Sequence, residues 1–368
     1  MRIVFMLTSL GVGGAERQAL AIAERMRERG HSAAVFTLRP QLAEEWPTSL
    51  PVFRLEMRKD PFSLFTAAIR ARRYLRDLAP DLIHSHGFHA NIFARLLKVV
   101  LPRVRVVSTI HNIHEGGRAR MLAYRATDGL CAQTTAVSEA VAQRFIALKA
   151  VPQGRCAVML NGIDAAAFTP DPARRAQMRA AMHAGSNFIW LAAGRIAPAK
   201  DYPNLLRAFS KLRAAHPDVQ LWIAGEGTEN ALAALRHLAG ELDLDGCVQC
   251  LGLRRDLDAL LDAADAFVLG SAWEGMPLAL AEAMAMEKAV VATDVGGVRE
   301  LVGEAGALVP ARDAAALAAA MDAVMRATEE ARRAQGSAAR ARIEACFSMD
   351  VRADAWEAIY ASVVREKS

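Results

Sequence analysis

Short apolar runs of three to seven residues alternate with longer amphipathic stretches along almost the whole chain, and this alternation limits the fold more than any other feature. The runs lie at 3–7, 33–38, 82–85, 104–110, 131–137 and 156–160, then at 188–193, 219–224, 248–251, 266–269, 289–293 and 307–309. Several are apolar throughout, as expected of parallel strands buried on both faces. Helical periodicity fills the gaps, for example at 16–29, 63–78, 138–148, 202–215 and 314–327. Strand–helix alternation of this kind builds doubly wound parallel sheets. The series also restarts. Asn161-Gly162-Ile163-Asp164 closes the first set, and Phe168-Thr169-Pro170-Asp171-Pro172 has the turn chemistry of a linker. A chain of 368 residues is long enough for two cores. The expected architecture is α/β: two Rossmann-like domains facing each other across a cleft, residues 1–165 and 166–348, with ligands beyond the carboxyl ends of the strands.

Composition narrows the class. The five cysteines are odd in number and scattered, which argues against a disulfide framework and for a reducing cytoplasm. Cys247-Val248-Gln249-Cys250 lies in a strand-like run without a second pair, so core packing is expected there. The first residues, Met1 to Leu7, read as a strand rather than a leader, because glycines and Glu16 interrupt the apolar run. No apolar stretch reaches membrane-spanning length. Charge is uneven: residues 1–165 hold 23 Lys and Arg against 13 Asp and Glu, and the rest hold 22 against 27. A basic half of this kind suits an anionic membrane surface or a phosphate-bearing acceptor, and equally a solvated face. Arg58-Lys59, Arg70, Arg72, Arg73 and Arg76 are the candidate membrane-facing charges. Nucleic acid is set aside, since no aromatic interleaving or nucleic-acid module accompanies the charge.

Three segments carry chemistry. Leu10 to Arg17 joins the first strand to a helix through Gly11, Gly13 and Gly14, which let backbone approach an anion at a helix start. Arg195 and Lys200 follow the first strand of the second series, where a diphosphate would meet fixed positive charge. Glu274 precedes a helix whose start is marked by Pro277, and Glu282 falls within an otherwise apolar part of it. Amides near Gly275, Met276 and Leu278 suit phosphate oxygens, and the two carboxylates suit sugar and ribose hydroxyls on either side.

Taken together, Gly13-Gly14-Ala15-Glu16, Asn161-Gly162-Ile163-Asp164, Gly194-Arg195 with Lys200, Ala224-Gly225-Glu226-Gly227, and Glu274 with Glu282 in E-x7-E spacing resemble the family 4 retaining glycosyltransferases. The resemblance runs from about residue 2 to residue 310 and is strongest after residue 160. It implies a GT-B fold with a nucleotide-sugar donor, UDP- or GDP-linked, in the second domain and a glycan or lipid-linked acceptor in the first. It also implies no essential metal or other cofactor, and a last helix, about 349–368, that crosses back to the first domain. By position, Arg195 and Lys200 would bind the diphosphate, Glu282 the ribose and Glu274 the transferred sugar. Leu253 and Arg254 would lie near the base, and His111 would contact donor sugar and phosphate, with 112–117 beside the acceptor. Asp201 stands where the family commonly has glycine. The implied activity is hexosyl transfer in cell-surface polysaccharide, lipopolysaccharide or glycolipid synthesis, in the cytoplasm or on the inner face of its membrane.

Other classes fit less well. His84, His86, His89, His111 and His114 cluster in sequence but complete no hydrolase-type zinc set. Asp243-Leu244-Asp245 and Asp256-Leu257-Asp258 have the D-x-D string of metal-dependent transferases, but in helix or turn contexts. A nucleotide-sugar epimerase would share the fold without the transfer. A catalytically silent, membrane-associated partner subunit would not need the intact charged positions.

Overall fold

The computed structural model describes residues 1–58 and 60–365, so Lys59 and residues 366–368 lie outside the described residues. The chain forms two compact units. The first is Met1–Gly162 together with the helix Met349–Arg365, and the second is Ile163–Ser348. The segment 168–172 thus lies inside the second unit rather than between the two. There Pro172 opens a helix, Pro172–Ala181, capped by the Asp171 carboxylate.

The first unit holds seven strands: β1 (Arg2–Leu7), β2 (Ser32–Thr37), β3 (Val52–Arg54), β4 (Leu82–His86), β5 (Arg105–Ile110), β6 (Gln133–Ala136) and β7 (Cys156–Val158). All pair in parallel, in the order β3-β2-β1-β4-β5-β6-β7. The second unit holds β8 (Phe188–Ala193), β9 (Val219–Ala224), β10 (Val248–Gly252), β11 (Ala266–Leu269), β12 (Ala289–Thr293) and β13 (Ala307–Val309). These too are parallel, in the order β10-β9-β8-β11-β12-β13. β11 and β12 are buried along their whole length, which is why they read as unbroken apolar or small-residue runs; β4 is buried throughout as well but ends in His84, Ser85 and His86.

Helices cover both faces of each sheet. Many start where a short polar side chain takes an amide the helix cannot satisfy, as Asp60, Ser138, Thr228, Asp313 and Thr328 do. Cys247 is buried in the core of the second unit beside Leu221 and Leu244. Asp243 sits in a turn with φ 53°, Asp256 precedes the helix Leu257–Ala263, and Asp258 pairs with Arg174. The two D-x-D strings therefore serve local structure.

The last helix belongs to the first unit by its packing. Met349, Ala353, Trp356, Tyr360 and Val363 recur at helical spacing and are buried with Ile3, Phe5 and Ala19. Its opposite edge is ionic: Arg29 donates to Asp354 at 2.5 Å and to Glu357 at 2.8 Å, and His31 meets Glu357 at 2.7 Å. Gly162 fits beneath this helix, where a Cβ would stand 3.0 Å from Met349 Sδ. Replacing Trp356 by alanine should cost about 3–5 kcal/mol, as deleting a fully buried large ring does. A thermal melt unchanged from wild type would show that the last helix does not hold the first unit together.

Candidate functional site

In each unit the strand order reverses once, and a sheet of this kind opens a crevice at the reversal, outside the carboxyl ends of its strands. In the second unit the reversal lies between β8 and β11. The loop after β8 ends in the short turn Pro198–Lys200, and the loop after β11 carries Ser271 and Glu274. These two loops bring together residues 74 positions apart: Lys200 Nζ donates to Glu274 Oε1 at 2.5 Å. Ser271 Oγ donates to the same oxygen at 2.6 Å. Glu274 is only 8% exposed, and a polar group that deep needs hydrogen-bond partners such as these. Both bonds use Oε1 rather than Oε2.

The backbone around this pair is interlocked. Ala272 N bonds Ala199 O at 2.8 Å, and Thr293 Oγ1 bonds Ser271 O at 2.6 Å. Gly297 N bonds Gly275 O at 2.8 Å, and Gly296, at φ 54°, passes so close that a Cβ there would stand 1.9 Å from Glu274 O. On the other side Gly194 N bonds Ala224 O and Gly225 N bonds Gly252 O. A Cβ on Gly225 would meet Gly194 O at 2.0 Å. Tyr202 donates its hydroxyl to Gly194 O at 2.7 Å. Asp201 has φ 44° and ψ 47°, a left-handed backbone that explains why glycine suits the position after the lysine. Ser271, Tyr202, Thr293, Gly296 and Gly297 were not singled out from sequence. The Gly296-Gly297 pair after an apolar run was the available signal, while Ser271 acts on the Glu274 side chain and Tyr202 and Thr293 on the backbone oxygens of Gly194 and Ser271.

The helix Leu278–Ala285 starts at Pro277, which has no N–H and offers no side-chain cap. Its first intrahelical bond comes from Ala281 N to Pro277 O. The amides of Leu278, Ala279 and Leu280 are the free donors of the first turn, next to Gly275 and Met276. Pro277 is thus the cap residue rather than part of the first turn. Glu282 lies further along the helix, 2% exposed. Arg195 is exposed, and among the described residues it makes no hydrogen bond. Arg254 is committed to Asp256, with Nε to Oδ1 at 2.7 Å and Nη2 to Oδ2 at 2.5 Å; Leu253 beside it is partly buried.

In the first unit the reversal lies between β1 and β4. Gly13 and Gly14 follow β1 and start the helix Gly14–Glu28, and Gly13 O accepts from Trp46 Nε1 at 3.2 Å. β4 ends in two buried histidines on one face. His84 Nδ1 meets Tyr360 OH at 2.7 Å and its Nε2 meets Thr109 Oγ1 at 2.7 Å. His86 Nδ1 meets His111 Nε2 at 2.9 Å, while His86 Nε2 is buried without a partner. An orphaned acceptor is the lesser defect, so the shared proton is assigned to His86 Nδ1. His111 then carries its own proton on Nδ1 and offers an N–H donor.

Burial holds all three rings neutral: His84 and His86 titrate well below the usual histidine range, and His111 is pushed down to about 4. Glu115 accepts from Tyr124 OH at 2.6 Å and from His111 N, and burial raises it to about 7. Among the described residues no group of three or more His, Cys, Asp or Glu is placed to hold a metal ion.

Two family models match the chain: "Glycosyltransferase Family 4" over residues 12–167 and "Glycosyl transferases group 1" over residues 187–327. The phosphatidyl-myo-inositol mannosyltransferase of Mycolicibacterium smegmatis is 30% identical over 337 residues, covering 84% of this chain and 80% of that protein. The glycogen synthase of Mycobacterium tuberculosis is 29% identical over 332 residues, covering 82% and 74%. The structure of Anabaena HepE in complex with UDP and glucose superposes with a TM-score of 0.87 at 22% identity, covering 98% of this chain and all of that one, and shares its GT-B fold.

The buried groups set a pH dependence of known sign. The three histidines bind fewer protons folded than unfolded, so the stability they contribute is lost as pH falls below about 6.5. Glu115 acts oppositely, losing stability as pH rises from about 4.5 towards 7. Three sites outweigh one, so the melting temperature should fall between pH 7 and pH 5, and fall less steeply in His86→Asn. Equal slopes in the two proteins would contradict the buried neutral ring.

Proposed function

Because the chain belongs to the family 4 glycosyltransferases, and is therefore a glycosyltransferase of GT-B fold, we propose that it transfers a hexose from a nucleotide-diphosphate sugar to a hydroxyl with retention at the anomeric carbon, and without a metal. The observation that carries this reading is the junction of Lys200, Ser271 and Glu274 at the reversal of the second sheet, beside a helix start with free amides. A sugar joined to a diphosphate needs a carboxylate for its hydroxyls and positive charge for its leaving group, side by side.

In this mechanism Arg195, Lys200 and the amides of Gly275, Met276, Leu278, Ala279 and Leu280 hold the diphosphate. The bond from anomeric carbon to phosphate oxygen breaks, and the acceptor oxygen bonds the same carbon from the same face. The departing phosphate oxygen takes the acceptor's proton. Negative charge grows on the diphosphate as the bond breaks, and fixed donors aimed there provide the main rate enhancement. Glu274 Oε2 accepts from a sugar hydroxyl and Glu282 from the ribose. His111 donates from Nδ1, and Gly13 and Gly14 bring backbone amides to the donor. Leu253 and Arg254 stand near the base, with Arg254 held in place by Asp256. HepE holds UDP and glucose, which supports a donor of this class. The mycolicibacterial relative is named for a lipid acceptor. With the basic first unit, this favours a glycan or lipid-linked acceptor at the inner face of the cytoplasmic membrane, in cell-surface glycan or glycolipid synthesis. No helix of the described residues is long and apolar enough to cross a membrane, so contact with a bilayer would be peripheral.

Arg195→Ala should lower turnover about 10²–10³-fold, the cost of one preorganised charge contact; near-wild-type turnover would remove Arg195 from the mechanism. Activity should persist in excess chelator, and the product's anomeric configuration, read by NMR, should match the donor's. Loss of activity with the metal, or an inverted product, would overturn the corresponding half of the reading.

A further inference from the structure

The helix Pro61–Leu78 packs on the first unit through Ala67, Ala71 and Leu75, which are buried with Val4, Phe36 and Phe93. At about 100° per residue, its opposite side carries Phe62, Phe65, Ile69, Arg72, Arg73 and Arg76 within roughly 100° of arc. Phe62 is 77% exposed, Phe65 63% and Ile69 54%. Arg72, Arg73 and Arg76 are exposed as well. The outer face is thus divided along its length, with large apolar side chains in the first turns and arginines in the last. Two phenylalanines and an isoleucine on one exposed stripe mark an interaction surface rather than scattered apolar residues.

Charge decides what that surface meets. Arg70 is paired with Glu56 at 3.1 Å, but among the described residues Arg72, Arg73 and Arg76 have no ion-pair partner. Asp77 is the only acidic residue in the helix. A second copy docked parallel on this face would set arginine against arginine; docked antiparallel, it would cover arginines with phenylalanine and no carboxylate. A bilayer of anionic lipid satisfies both parts, since apolar side chains can enter the boundary between headgroups and acyl chains while guanidinium groups hold phosphates just above.

We propose that the outer face of the helix Pro61–Leu78 is the docking surface for an anionic membrane, with Phe62, Phe65 and Ile69 inserted and Arg72, Arg73 and Arg76 on the lipid phosphates. This deepens the reading of a membrane-side acceptor. Vesicle binding is read without donor or acceptor, so its failure leaves the transfer chemistry standing.

The test is cosedimentation of the full chain with sucrose-loaded vesicles, either phosphatidylcholine alone or phosphatidylcholine with one quarter phosphatidylglycerol. The chain should bind the anionic vesicles and not the neutral ones, and release in high salt. The triple variant Arg72→Gln, Arg73→Gln, Arg76→Gln should lose about 100-fold in partition, roughly fivefold per arginine. The triple variant Phe62→Ser, Phe65→Ser, Ile69→Ser should lose about tenfold or more. Both should keep the wild-type melting temperature and donor hydrolysis. Binding to neutral vesicles as tight as to anionic ones, no binding by wild type, full binding by either variant, or a dimer that the serine variant dissolves would each overturn the proposal.

Discussion

The second unit is organised around one buried carboxylate. Glu274 is buried, and both Lys200 and Ser271 donate to it. Those three side chains sit on loops that leave strands on either side of the sheet reversal, so the pair forms only if β8 and β11 are neighbours in register. The glycine contacts follow from the same requirement. Gly296 and Gly225 lie where any side chain would strike the backbone of Glu274 or Gly194, and they allow the loops to approach closely enough for the donors to reach. Lys200 thus holds the Glu274 carboxylate as well as lying where the diphosphate is proposed to bind.

The first unit handles its polar interior differently. Its reversal is lined by rings rather than by ions: His84 between Tyr360 and Thr109, and His86 against His111. Buried imidazole is cheaper neutral than charged, and each ring nitrogen that finds a partner fixes the tautomer of the next. His86 therefore sets which nitrogen of His111 carries its proton, although it lies behind that ring.

Much of this was legible in the chain. In the second unit five of the six strands, at 188–193, 219–224, 266–269, 289–293 and 307–309, coincide with their apolar runs, because strands covered by helices on both faces leave no polar alternation to blur their ends. β3 was not legible. Of its three residues only Val52 and Phe53 are apolar, and Arg54 ends the run, whereas the equally short edge strand β13 is Ala307-Leu308-Val309, apolar throughout. The E-x7-E spacing and the lysine after β8 pointed to two loops that the fold brings together through Lys200 and Glu274. The clamps did not appear, since Tyr202, Thr293 and Gly297 act on main-chain atoms of residues that are neighbours only after folding. Histidines two apart on a strand look alike whether they bind an ion or bond to each other, and the choice depended on Tyr360, which lies 276 positions from His84.

The last helix makes the order of synthesis matter. Ile163–Ser348 is continuous and has its own sheet, whereas the first unit is completed only by residues from the other end of the chain. The amino-terminal unit, though made first, waits for Trp356 and Tyr360 to cover the face of Phe5 and His84. A chain lacking residues 349–365 would therefore keep every residue of Ile163–Ser348 and leave an open apolar face on the first unit.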